Sequence, residues 1–166
     1  MSFRQEFNDQ EWAALQYSFL WVFQAVAGAD NNIDKKEKAA FEYVVSNPDK
    51  IPCELAVEVL KSMQEEGNSI FEMSKEDLRD TKDGLNYTTE LLESKMERNE
   101  IISYKKALMA FGVVIGKASG SWFADNFSDE EFRELKRVSG YLDIKLQQMM
   151  NSGALTGYFD AMREIK

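Results

Sequence analysis

Hydrophobic and polar positions divide the chain into segments of helical period. From Trp12 to Ala29 no residue is charged, and Trp12, Leu15, Phe19, Val22 and Val26 recur at i, i+3, i+4 spacing, with Leu20, Phe23 and Ala27 widening the stripe. A helix apolar nearly all round belongs at the centre of a helical domain. Asn8 followed by Glu11 forms a capping-box pattern, so this helix is predicted to run from Asn8 to Ala29. Asp34 and Glu37 repeat the cap ahead of a second amphipathic segment with Ala40, Phe41, Val44 and Val45 on its buried side, which Asn47-Pro48 ends. Ile51-Pro52 opens a short helix through Leu55, Val59 and Met63, broken at Gly67-Asn68-Ser69.

Ser74 with Asp77 is the next predicted cap, leading into a helix whose narrow stripe is Leu78, Leu85, Leu92 and Met96. Gly84 is expected off that stripe, where it bends or divides the helix at a cost of about 1 kcal/mol relative to Ala. Asn99 can cap a second strongly apolar helix through Ile101, Tyr104, Leu108, Phe111 and Ile115, running to Ala118. Gly112 and Gly116 lie on one of its faces and admit a close neighbour, expected to be the first helix through Ala25 and Ala29. Ser128 to Glu131 caps a helix through Phe132, Leu135, Val138 and Leu142. A short helix is read at Asp143, Leu146, Met149 and Met150, and a last one at Leu155, Tyr158, Phe159, Met162 and Ile165. No stretch sustains period-two alternation, so the expected fold is all-α: a single compact domain, residues 1–166, of about seven or eight helices with two apolar helices at its centre.

The two apolar helices share a sequel. Each is followed by a short polar loop, an apolar residue, a capping box and an amphipathic helix, and Ala124-Asp125-Asn126 repeats the tripeptide Ala29-Asp30-Asn31. This describes a pseudo-duplicated helix-loop-helix unit, repeat-like over 12–45 and 101–142. Chance recurrence is the competing account, because helix caps draw on few residue types.

Composition narrows the function. A chain of 166 residues is long enough to bury one substantial core. The net charge of −9 argues against sequence-independent nucleic-acid binding, which needs Lys and Arg to displace phosphate counterions. Much of that charge lies between Glu54 and Glu100, which reads as a solvated outer layer. A membrane span at Trp12–Ala29 is disfavoured by Gln16, Ser18 and Gln24 within it and by the lack of a basic flank. A single cysteine, Cys53, and an N-terminus without a signal-peptide layout make the cytoplasm the default.

The chain contains no histidine, which removes Ser-His and Cys-His nucleophiles, His metal ligands and imidazole acid-base chemistry. Cys53, beside Pro52, reads as a packing residue at a helix start. Gly112 to Ser119 superficially resembles a phosphate loop, but the glycine spacing is short, no Ser or Thr follows Lys117, and the stretch lies within an apolar helix. Asp30, Asn32 and Asp34 resemble the first three ligand positions of a calcium loop. The match then fails, with Lys35 where Gly belongs and Phe41 where the bidentate Glu belongs. A looser divalent-cation site, for calcium or magnesium, is left at Asp30, Asp34 and Glu37, with Asn32 as a neutral ligand. The alternative is that Asp34 and Glu37 only cap the second helix while Asp30 terminates the first.

The stretches AVAGADNNIDKKEKAAF and GKASGSWFADNFSDEEFRELKRVSGYLDI resemble the two units of the TerB-like proteins associated with tellurite resistance. They cover about half the chain in the order that family shows, departing from its pattern at Asn31, where the family usually has Gly, and at Ser119, where the second unit could have had Asp. The resemblance implies a compact all-helical cytoplasmic domain, linked to the stress response to metal oxyanions and working through divalent-ion or partner binding. A non-enzymatic binding or regulatory module with protein partners is therefore the leading expectation, and peripheral contact with a membrane complex stays open. An interaction scaffold without ion binding is the alternative. An enzyme using carboxylates alone is the outlier, because the acids fall at caps and surfaces.

Overall fold

A computed structural model describes residues 2–28, 35–67, 69–118 and 129–145. Among these the chain is all-helical, without strands, and its α-helices form a compact arrangement. In chain order they are α1 (Asp9–Ala27), α2 (Lys35–Ser46), α3 (Glu54–Glu66), α4 (Ser69–Lys75), α5 (Thr81–Lys95), α6 (Arg98–Ala118) and α7 (Asp129–Leu142). Two short 3-10 turns, Phe3–Glu6 and Pro48–Lys50, precede α1 and α3.

The capping box read at Asn8 is formed in full. The Glu11 amide donates to Asn8 Oδ1 at 2.8 Å and the Asn8 amide donates to Glu11 Oε2 at 2.9 Å. Phe7, just outside the cap, packs at a tilt against Trp12 with ring centroids 6.0 Å apart, which is the hydrophobic staple that fixes the entry angle of the chain. From Ala14 to Phe23 every residue of α1 is buried, Gln16 and Ser18 included. The helix is surrounded: α3, α4, α5, α6 and α7 all pack on it. α6 is the second central element, with α1, α2, α3, α5 and α7 around it. No helix among the described residues is long and apolar enough to cross a membrane.

The central pair runs parallel, since residue numbers rise together along the contact. Tyr104 meets Leu15 and Ser18, Phe111 meets Phe19, and Gly112 meets Val22 and Val26. The polar groups in this seam satisfy each other: the Tyr104 hydroxyl lies 2.9 Å from Ser18 Oγ and donates to the Leu15 carbonyl at 3.0 Å. Burial pushes the Tyr104 phenol far above its ordinary range, so it stays a neutral donor. The close approach expected at Gly112 is present, but its partners differ from those expected. A Cβ there would lie 3.1 Å from Val22 and 3.2 Å from Leu135, so the glycine makes room for α1 and α7 through branched side chains, while Ala25 is only partly buried and Ala29 lies outside the described residues. α2 packs chiefly on α6, and α7 packs on both α1 and α6.

The middle of the chain departs from expectation. The segment after Gly67 is helical, as α4, so Ser74 lies inside that helix and not at the start of the next. Asp77 is occupied by Arg79, whose amide and Nε donate to Asp77 Oδ1 at 2.9 Å, and this holds residues 77–80 out of helix. The cap of α5 is Asp80, three residues later, whose side chain accepts from the Asp83 amide at 2.8 Å. Leu78 is therefore not on the stripe at all; it is 98% exposed. Gly84, expected off the stripe, is on it: the buried face of α5 is Gly84, Leu85, Thr88, Leu91 and Leu92, and the helix runs unbroken past the glycine.

α6 begins at Arg98, one residue before the expected cap, with the Glu97 amide donating to Glu100 Oε2 at 3.0 Å. Asp143 does not open a helix but closes α7. It takes φ of 54° while the Ile144 amide reaches back to the Ser139 carbonyl at 2.9 Å, a Schellman-type stop with Asp in the left-handed position. The remaining residues assigned to the last two helices, from Leu146 to Ile165, lie outside the described residues.

Candidate functional site

The junction between α1 and α2 is built by terminating one apolar helix and docking the next. Gly28 closes α1 with its amide donating to the Gln24 carbonyl at 3.0 Å, and a Cβ at Gly28 would stand 2.6 Å from that same oxygen. A side chain at Gly28 would therefore clash with the last turn of α1. On the far side, α2 is anchored by Phe41, whose ring centroid is 4.8 Å from Phe23 of α1 and 5.8 Å from Phe111 of α6. Glu37 lies one turn before Phe41, on the same inward face as Ala40 and Val44, and is 1% exposed. Because α1 and α6 are parallel, Gly28 and Lys117 come to the same end of the bundle, so each apolar helix hands over to its polar loop there.

Of the predicted ligands, Glu37 alone falls within the described residues; Asp30, Asn32 and Asp34 lie outside them, as does the second unit's loop with Ser119. Among the described residues no group of three or more Asp, Glu, Cys or His side chains stands close enough to hold a metal ion.

Other carboxylates serve in the structure itself. Glu58 of α3 reaches the first 3-10 turn, accepting from the Ser2 hydroxyl and from the amides of Arg4 at 2.9 Å and Phe3 at 3.0 Å. Burial opposes ionisation of Glu58, but these hydrogen bonds together hold its carboxyl below the ordinary value. The hydrogen bond from the Arg79 side chain likewise holds Asp77 below its ordinary value against partial burial. Arg79 in turn lies over the rings of Tyr87, at 4.4 Å, and Trp21, at 5.3 Å. Cys53 is buried at the start of α3, and burial pushes its thiol up, which disfavours the thiolate.

Two grooves were not legible in the sequence. The first, about 550 Å³, is lined by Phe23, Phe41, Val45, Met63 and Ile70, with Lys38, Glu42, Ser46 and Gln64 at its edges. Four helices contribute to it, and no local pattern announces such a meeting. The second lies between α1 and α3, where Trp12 Nε1 and Gln16 Nε2 both donate to Ser62 Oγ, at 3.1 and 2.9 Å, and Gln16 also donates to Glu66 at 3.1 Å. Gln16 and Ser62 carried the only available signal, polar residues on otherwise apolar helical faces. Compared with family models, curated proteins and solved structures, the chain matches none.

Proposed function

We propose that the protein is a non-enzymatic binding or regulatory module of the TerB-like kind, acting in the cytoplasm in a stress response such as that to tellurite, with a weakly held divalent cation at the α1–α2 junction. The observation that carries this reading is the position of Glu37. A carboxylate 1% exposed is rare, and it sits on the first turn of the helix into which Asp30, Asn32 and Asp34 lead. A calcium or magnesium ion shared with Asp30 and Asp34 would relieve repulsion among three neighbouring negative charges and tie the start of α2 to the end of α1. The ion would then act as a conformational link between the loop and the core, which suits regulation better than catalysis, and the absence of histidine is in keeping with that.

Few ligands, and no bidentate Glu at the position where a calcium loop has one, set the expected affinity on the order of 10⁻⁴ to 10⁻³ M. The test is a calcium and magnesium titration followed by amide NMR. Resonances between Gly28 and Lys38 should move at millimolar ion, and Asp30→Asn should weaken the response while leaving the fold intact, because Asp34 and Glu37 remain to cap α2. If no resonance in that window moves, the ion is discarded and an ion-independent scaffold becomes the better account.

A further inference from the structure

We propose that residues 2–6 are an autoinhibitory strap lying in a peptide-binding cleft between α1 and α3, and that a partner segment in which an aromatic residue precedes an arginine displaces it. The strap is held as a bound peptide would be. Glu58 of α3 accepts from the main-chain amides of Phe3 and Arg4, at 3.0 and 2.9 Å, while the Arg4 guanidinium lies 5.4 Å over the Trp12 ring and pairs with Asp9. A carboxylate on two consecutive amides holds a main chain through charge-assisted hydrogen bonds, and the indole beneath the guanidinium selects a cation. The hold is shallow. No residue of the 3-10 turn Phe3–Glu6 is buried, and the Asp9 side chain is 96% exposed, so its pair with Arg4 contributes little. Phe7 sits in the core and Lys95 donates to the Glu6 carbonyl at 2.8 Å, so the strap peels from its start and stays tethered at its end.

The cleft extends past the strap. It encloses about 530 Å³, and its charged lining sets Arg4 and Lys61 against Asp9, Glu58, Glu65 and Glu66, two positive charges against four negative, a net of −2. Lys61 is engaged by Asp49, which stands outside the cleft, at 3.1 Å. Glu65 and Glu66 form no ion pair among the described residues. Gln16 lines the same cleft at 1% exposure: its amide nitrogen donates to Ser62 and Glu66, and its carbonyl oxygen accepts from no group among the described residues. Beyond Arg4 the cleft thus offers acceptors that the strap does not use. A longer segment repeats the strap's contacts and gains these as well, which is how it competes with a strap that is always at hand.

Fluorescence anisotropy on the purified full chain tests this, with a labelled synthetic peptide of the sequence Ser2 to Phe7, blocked at both ends, as the probe. The wild type should bind it weakly, because the strap already fills the site. Phe3→Pro removes one of the two amides that Glu58 accepts and the ring packed against the core, and it leaves the charge unchanged. That variant should bind the probe at least about fivefold more tightly than the wild type, whereas a surface that merely attracts cations would show no change. In the Phe3→Pro background, Glu58→Gln should weaken binding at least about fivefold, and so should replacing the arginine of the probe by alanine. Circular dichroism should show both variants folded, since Phe3 and Glu58 are only partly buried. A Phe3→Pro variant that binds no more tightly than the wild type, a probe whose affinity ignores its arginine, or full displacement by an equal concentration of spermine, which has no main-chain amides, would overturn the proposal.

Discussion

Trp21 occupies the space where a side chain at Gly84 would be: a Cβ added there would stand 2.5 Å from the indole ring. Two effects of opposite sign meet at that position. In an open helix Gly84→Ala would stabilise α5 by about 1 kcal/mol, whereas forcing a methyl into a filled contact costs about 1–3 kcal/mol. The indole cannot yield easily, because Tyr17 packs edge-on against it at 6.0 Å and Arg79 covers it. Overpacking should win, and Gly84→Ala should lower the urea midpoint; a midpoint raised above wild type would show that Trp21 can move aside. Val22 presents the opposite case, a side chain with no exposure, set against Gly112. Val22→Asp buries an unpaired charge and should cost more than about 4 kcal/mol, read as loss of the cooperative melt. Val22 was legible from spacing alone. Gly84 was not, because a glycine leaves no mark in a hydrophobic pattern and its role depends on what approaches it.

Among the elements, ends decided what could be read. The start of α1 was visible because both halves of its capping box and the staple at Phe7 are local in sequence. The start of α5 was misplaced because Ser74 and Asp77 have capping-box spacing on paper, whereas Ser74 falls inside α4 and Asp77 is bound by Arg79, so that Asp80 caps α5 instead. The short α4 escaped notice for a related reason: seven residues after a glycine break give too few turns for a stripe to declare itself. These same end contacts set the acid stability. Asp77, Glu11 and Glu58 all have carboxyls below their ordinary values of 3.8, 4.5 and 4.5, through the Arg79 side chain, the Asn8 amide, and the hydrogen bonds that outweigh burial at Glu58. A carboxyl with a depressed folded value contributes stability that is fully present above its unfolded value and is lost as pH falls through the folded one. Stability should therefore hold above about pH 5 and decline steadily toward about pH 3. Asp77→Asn should flatten part of that decline, seen as a smaller drop in urea midpoint between the two pH values, while a profile identical to wild type would show the Asp77–Arg79 pair to be thermodynamically idle.

At the scale of the whole molecule, the parallel pair α1 and α6 forms an axle that the other helices cover, and that much follows from two long uncharged stripes too apolar to sit anywhere else. How the stripes are covered did not follow, because the grooves and the crossing of α2 onto α6 come from side chains far apart in the sequence. The candidate cation site was legible as carboxylate spacing, but spacing alone fixes neither the depth of Glu37 nor the bundle end at which the loops emerge. The axle arrangement carries its own test. Amides in the middle of α1 and α6 can reach solvent only when the helices around them separate, so their exchange should require unfolding of the whole domain. The amides of Phe19, Leu20, Leu108 and Met109, in residues with 1% exposure or less, should be the slowest in the chain and report the same free energy as global unfolding by denaturant. Those of the first 3-10 turn, held chiefly by Glu58, should open at lower cost, and lowering the pH should widen the gap as Glu58 is protonated. If Phe19 and Leu108 exchange no more slowly than the outer face of α5, helices cover the pair only transiently and its central place in the fold is wrong.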